Sequence, residues 1–234
     1  MIIECRNLKK EYTADNKLVT AVDNVTLSVE EGEFVVILGH SGSGKTTLLS
    51  LIGGLTVPDS GGVQINGVDN RGQSDDDLSD MRNRTIGFIF QFASLIPTLT
   101  ALENILLPLS FGNYPKGKYE DALEILELVG LKDKTNSFPS QLSGGQQRRI
   151  AIARAFINKP DIILADEPTG DLDEETERDI LDLFREYNGR GTTFVVVTHN
   201  VHLARTQKNA RVLQMRQGML TEEEGVDNQM ETVV

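Results

Sequence analysis

The hydrophobic pattern of this chain alternates between two kinds of segment. Phe34-Val35-Val36-Ile37-Leu38, Ile162-Ile163-Leu164-Ala165 and Thr193-Phe194-Val195-Val196-Val197 are short and apolar or β-branched at every position. Runs of this length without polar alternation predict strands covered on both faces. Ile86-Gly87-Phe88-Ile89-Phe90 reads as a fourth strand. Val63-Gln64-Ile65 is a short one between the turn chemistry of Asp59-Ser60-Gly61-Gly62 and Asn66-Gly67. Elsewhere the period is helical. Thr47 to Ile52 reads as a helix, and Leu102, Ile105, Leu106 and Leu109 share one face. Leu123, Leu126 and Val129 or Gly130 share another, and Gln146 to Asn158 carries Ile150, Ala153 and Ala155 among arginines. Strands alternating with helices predict an α/β fold. The strand-free stretch from Thr100 to about Lys159 predicts a helical subdomain inserted into the sheet.

The chain of 234 residues fits one large domain better than two small ones. With 39% hydrophobic and 25% charged residues it has the composition of a globular protein. No apolar run reaches the roughly eighteen residues that a membrane span needs, and the opening Met1-Ile2-Ile3-Glu4-Cys5-Arg6 does not read as a signal peptide. The single cysteine, Cys5, excludes an internal disulfide and reads as filler in a buried first strand. A net charge of -12 argues against a nucleic-acid partner, because phosphates must be met by lysine and arginine. Five acids and no bases lie from Glu222 to Val234, so 221–234 reads as an acidic, solvated tail after a domain spanning 1–220.

Candidate chemistry follows the first buried strand. Gly39-His40-Ser41-Gly42-Ser43-Gly44-Lys45-Thr46 fits the phosphate-loop pattern. Its glycines let backbone N–H groups converge on an anion, and the helix behind it points its positive end there. Lys45 is then placed to hold β and γ phosphates, and the Thr46 hydroxyl to ligate Mg²⁺. A second buried strand ends in Asp166-Glu167. Asp166 suits the metal shell and Glu167 the general-base role toward an attacking water. Taken singly, the first motif also reads as a glycine turn and the second as the start of a turn before Pro168.

Leu142-Ser143-Gly144-Gly145-Gln146, followed by Gln147-Arg148-Arg149-Ile150-Ala151-Ile152-Ala153-Arg154-Ala155, is the third signal. With the loop and the acidic strand end in order before and after it, the chain resembles the ATP-binding subunits of ATP-binding cassette (ABC) transporters from Ile2 to about Leu220. The resemblance implies a P-loop NTPase core sheet, an inserted α-helical subdomain at about 92–159 and an N-terminal antiparallel β subdomain. It implies ATP and Mg²⁺ as cofactors, with contacts from Gly39, His40, Ser41, Gly42, Ser43, Gly44, Lys45, Thr46 and Thr47. It implies that Ser143, Gly144, Gly145 and Gln146 reach the nucleotide of a second ATP-binding subunit, an identical copy or a related chain, with Asp173 in the loop at that interface. Gln91 carries over as a metal and water sensor, His199 as the switch histidine and Tyr12 as the aromatic on adenine. Thr46, Gln91 and Asp166 are thereby the metal set, and Glu167, His199 and Gln91 the catalytic set.

There are departures from the family pattern. His40 stands where proline is common, and Thr46 replaces the commoner serine. Asp171 adds a charge where small or amide residues prevail, and Asn200 follows His199 where aspartate is frequent. Leu51-Ile52-Gly53-Gly54-Leu55, the stretch Pro97 to Ile105 and Ala165 to Gly170 resemble the subgroup of lipoprotein-release, macrolide-efflux and cell-division ATPases. That implies a peripheral position on the inner face of a prokaryotic cell membrane. It also implies a separate permease whose cytoplasmic coupling helix enters a groove lined by Phe92, Leu95 and Ile96, residues that read equally as core of the helical subdomain. The alternative within the subgroup is an ATP-driven regulator of a membrane protein that moves no solute.

Overall fold

The computed structural model describes residues 1–14, 16–111, 118–170, 172–207 and 209–222. The predicted buried strands form one parallel sheet. In chain order its strands are β3 (Phe34–Leu38), β6 (Ile86–Ile89), β7 (Ile162–Asp166), β8 (Thr193–Thr198), β9 (Arg211–Arg216) and β10 (Met219–Glu222). Their spatial order is β10-β9-β3-β8-β7-β6, with only β10 running antiparallel. A second, antiparallel sheet has the order β2-β1-β4-β5, from β1 (Ile3–Ala14), β2 (Lys17–Val29), β4 (Ser60–Ile65) and β5 (Val68–Asp69).

The continuous apolar runs are explained by what covers each face. Phe34, Val36 and Leu38 point into one core with Ile163, Ala165, Phe194 and Val196. Val35 and Ile37 point into the other with Ile162, Leu164, Val195 and Val197. The first core is closed by α3 (Ala101–Leu106), α4 (Tyr119–Leu128), α5 (Gly144–Phe156) and α6 (Glu174–Gly189). The second is closed by α1 (Lys45–Ile52) and the antiparallel sheet, where Cys5 is buried. Among the described residues the remaining α-helices are α2 (Asp75–Thr85) and α7 (Val201–Thr206). Among the described residues no helix is long and apolar enough to cross a membrane.

Several expectations need correction. Ser60, Gly61 and Gly62 belong to β4 rather than to a turn, because they pair with β1 across a bulge. Gly61 permits this at φ +82°, where a Cβ would lie 2.3 Å from the Asn7 carbonyl. β6 stops at Ile89, one residue short of Phe90. α3 stops at Leu106 and tightens into a 3₁₀ turn, Leu107–Ser110, since Pro108 cannot continue an α-helix. α4 buries Ala122, Ile125 and Leu126, not Leu123, which is exposed. α5 begins at Gly144, with Ser143 as its cap, rather than at Gln146. Thr221 and Glu222 lie in β10, inside the stretch expected to be tail; 223–234 and Asp171 fall outside the described residues.

Candidate active site

The carboxyl ends of β3, β8, β7 and β6 lie side by side, the usual place for a ligand in an open parallel sheet. β3 delivers the glycine loop, β7 delivers Asp166 and Glu167, β8 delivers His199, and β6 leads into Gln91. Together with Tyr12, Val19, Thr20 and Ala21 from the antiparallel sheet, they line an open cavity of about 640 Å³. His40, Ser41, Gly42, Ser43, Gly44, Lys45, Thr46 and Thr47 are all on its wall.

The loop is held from several sides. The Gly39 N–H donates to the Thr198 carbonyl at 3.2 Å, and the Gly218 N–H to the Ser43 carbonyl at 3.0 Å. Gly44 sits at φ +104°, and a Cβ there would lie 2.0 Å from the Ala21 carbonyl oxygen, so only glycine fits beneath β2. The Lys45 ammonium is buried and donates to the carbonyls of Gly39 (2.7 Å) and His40 (3.1 Å). It bridges the loop's own mouth. Ser43 Oγ is buried with no partner among the described residues, a polar group left for a ligand oxygen.

Two acids divide the remaining work. Thr46 Oγ1 donates to Asp166 Oδ2 at 2.7 Å. Burial pushes the Asp166 carboxyl above its ordinary 3.8; the Thr46 bond pulls down less, and the neighbouring Glu167 charge adds to the rise. A carboxyl raised in the fold stabilises it only while protonated, and that contribution is lost as pH climbs from 3.8 through the folded value. At neutral pH the buried charge therefore costs stability. Asp166→Asn is expected to raise the melting temperature of the nucleotide-free chain, by about 2–4 °C for each kcal/mol recovered. Calorimetry at pH 7 and near pH 4 checks the sign: the gain should shrink at the lower pH.

Glu167 follows at φ +46°, a left-handed backbone that costs a non-glycine residue roughly 1–2 kcal/mol. The turn is held by β8: Glu167 N–H donates to the Val197 carbonyl at 2.9 Å. Its side chain accepts from Thr198 Oγ1 (2.7 Å) and the His199 N–H (3.0 Å), and meets His199 Nδ1 at 2.9 Å. The His199 ring is otherwise open, 72% exposed. With Nδ1 engaged on Glu167, Nε2 is free to face the cavity. Tyr12 is exposed on the rim, with Lys10 Nζ 5.6 Å from its ring centroid.

Other predicted residues are not gathered there. Ser143, Gly144, Gly145, Gln146 and Asp173 are absent from this cavity's lining, and so is Gly39, which is buried behind it. Ser143 caps α5 reciprocally with Gln146, at 3.2 and 2.9 Å, and is exposed with Gly144. Asp173 caps α6 through the Thr176 N–H at 2.9 Å, a bond that lowers its carboxyl. Phe92, Leu95 and Ile96 do not line the neighbouring groove of about 570 Å³; Leu55, Phe88, Phe90, Leu107 and Phe111 do. Phe92 is instead 75% exposed, and Leu95 packs against the first core.

One residue was missed. Arg148 is 5% exposed, and its guanidinium gathers the carbonyls of Phe90, Gln91, Asp166, Glu167 and Pro168. It fastens the Gln91 turn to the Glu167 turn. The available signal was its place in α5, on the stripe of buried Ala151, Ile152 and Ala155.

The comparisons with known proteins agree with one another. A family model described as ABC transporter matches residues 22–170. An uncharacterized ABC transporter ATP-binding protein from Thermotoga maritima is 45% identical over 227 residues, covering 97% of this chain and 95% of that protein. Among solved structures, a dimeric post-hydrolysis state of the ATP-binding cassette MJ0796 bound to ADP and Pi superposes with a TM-score of 0.88. It is 42% identical, over 95% of this chain and 99% of that one. A dimeric structure of MJ0796, described as a bacterial ABC transporter cassette, has the same TM-score and 43% identity over the same shares.

Proposed function

This chain belongs to the family of ABC transporter ATP-binding proteins and is an ATPase, and from that premise we propose that two copies close around two Mg·ATP to drive a separate membrane permease. The observation that carries the shared site is a separation. The N-terminus of the 13-residue helix α5, exposed at Ser143 and Gly144, offers the first-turn N–H groups of a helix start to an anion, yet it lines no part of its own chain's cavity. A second copy supplies the missing wall, as the dimeric relatives suggest.

Within each site the residues divide the chemistry. Lys45 and the loop N–H groups hold phosphate, with Ser43 Oγ open to a phosphate oxygen. Tyr12 supports the base. The paired Thr46 hydroxyl and Asp166 carboxylate fit Mg²⁺, with Gln91 facing the same space. No cluster of three acidic, histidine or cysteine ligands exists among the described residues, so Thr46 and Asp166, with Gln91 beside them, would hold the ion together with phosphate oxygens and water. When bound, Mg²⁺ neutralises charge on the transferring phosphoryl group. Glu167 accepts the proton of the attacking water, and His199, fixed by that same carboxylate, meets the γ-phosphate. Catalysis is positioning and electrostatics.

A mixing experiment tests the shared site. Ser143→Arg and Lys45→Ala chains are each inactive alone in this reading. Combined, they form a heterodimer in which one complete site survives, so ATPase activity returns. If each chain holds a self-sufficient site, mixing restores nothing.

The membrane half rests on the subgroup resemblance and on the groove of Leu55, Phe88, Phe90 and Phe111, a fit for an amphipathic coupling helix. On this reading the chain sits on the cytoplasmic face of the membrane. The second reading, a regulator of a membrane protein that moves no solute, uses the same ATP site. Transport in vesicles reconstituted with the permease separates the two.

A further inference from the structure

A polar contact beside the site joins the loops that carry its acid and its histidine. Glu177, in the first turn of α6 and half-buried, accepts two hydrogen bonds on one oxygen, Oε1. Thr169 Oγ1 donates at 3.1 Å and Asn200 Nδ2 at 2.9 Å. Thr169 is buried two residues beyond Glu167, and Asn200 follows His199 directly. The other end of the Asn200 amide fixes its orientation. Oδ1 accepts from the His202 N–H at 2.9 Å and the Leu203 N–H at 3.4 Å, capping α7, so Nδ2 must face Glu177. The Asn200 N–H in turn donates at 3.0 Å to Thr198 Oγ1, the hydroxyl that donates to Glu167. The bonds close a ring: Glu167, Thr198 and His199, Asn200, Glu177, Thr169, and back along the chain to Glu167.

We propose that Glu177 is a positioning residue for hydrolysis, keeping the His199 segment in register with the Glu167 turn through Asn200 and Thr169. The inference rests on the reading of Glu167 and His199 as the hydrolytic pair. It also accounts for an amide at position 200. A carboxylate there would still cap α7, but its second oxygen would face the Glu177 carboxylate and open the ring. Displacing a reacting group by about 1 Å costs on the order of 10²-fold in rate.

The test is steady-state ATPase of Asn200→Asp, Glu177→Ala and the double variant Asn200→Asp/Glu177→Gln, with Mg·ATP affinity and melting temperature measured alongside. Both single variants are expected to lose kcat by roughly ten- to a hundredfold, with KM for ATP unchanged. In the double variant an amide nitrogen in the place of Oε1 donates to the new carboxylate and to Thr169 Oγ1, whose hydroxyl turns to accept, so kcat recovers. Wild-type kcat in both single variants overturns the proposal. So does failure of the double variant to recover, or a loss confined to melting temperature. Glu167→Gln and His199→Ala run as controls. If they hydrolyse at full rate, the reading of the pair fails; if they are inactive and the Asn200 and Glu177 variants are not, only this inference fails.

Discussion

Glu167→Gln should slow ATP hydrolysis by roughly 10²–10⁴-fold, the contribution of a positioned general base, and leave the chain dimeric in Mg·ATP. The amide has the size of the carboxylate and keeps one oxygen for Thr198 Oγ1, so the turn at φ +46° survives. What it lacks is the capacity to take a proton from water. The dimer expectation comes from charge. Each chain carries -12, and without nucleotide the loop N–H groups and Lys45 of one copy would face the α5 N-terminus of the other with no anion between them. ATP supplies that anion, and failure to hydrolyse preserves it. Sedimentation with and without Mg·ATP reads the outcome directly. A variant that stays monomeric at saturating Mg·ATP counts against the shared site; one that hydrolyses normally removes Glu167 from its role.

Arg148→Ala should be the most destabilising single change near the site. Its guanidinium serves carbonyls on two separate turns, including Pro168 at 3.1 Å and Asp166 at 3.2 Å. Charged hydrogen bonds are worth about 1.5–3 kcal/mol each, and the orphaned carbonyls would share the cavity left by truncation. A loss of about 3–5 kcal/mol follows, and with it a fall of about 10 °C in melting temperature. Arg148→Lys should recover little, because an ammonium on a flexible stem cannot reproduce the planar fork. Calorimetry decides it. A shift within a degree of the parent chain would mean water replaces the guanidinium without cost.

The readable parts of the fold were those where one physical demand dominated. β3, β7 and β8 are covered on both faces, so their sequences had no choice but to be apolar throughout. α2 passed unnoticed because its eleven residues have few apolar members, and its start is set by Ser74 accepting from the Asp77 N–H. That is a capping signal that hydrophobic period alone does not report. β9 and β10 were missed as well: β9 buries only Leu213 and Met215 between terminal arginines, and β10 is four residues long with none buried. In the site, the glycine loop and Asp166-Glu167 could be read from spacing. The Glu177–Asn200 contact could not, since it joins positions 23 apart through a polar bond that leaves no periodic trace.

The strand order carries a consequence for how the chain is made. β3 is complete by residue 38, yet its two neighbours, β8 and β9, begin at 193 and 211. A ribosome must therefore release the chain through residue 193 before the glycine-loop strand has either edge paired. Until then a run of five apolar residues stays open to other chains, and closing the loop to its partner spans most of the sequence. Folding of the central sheet should be late and slow beside that of the local β1–β2 hairpin, and a chain truncated before residue 193 should aggregate rather than fold.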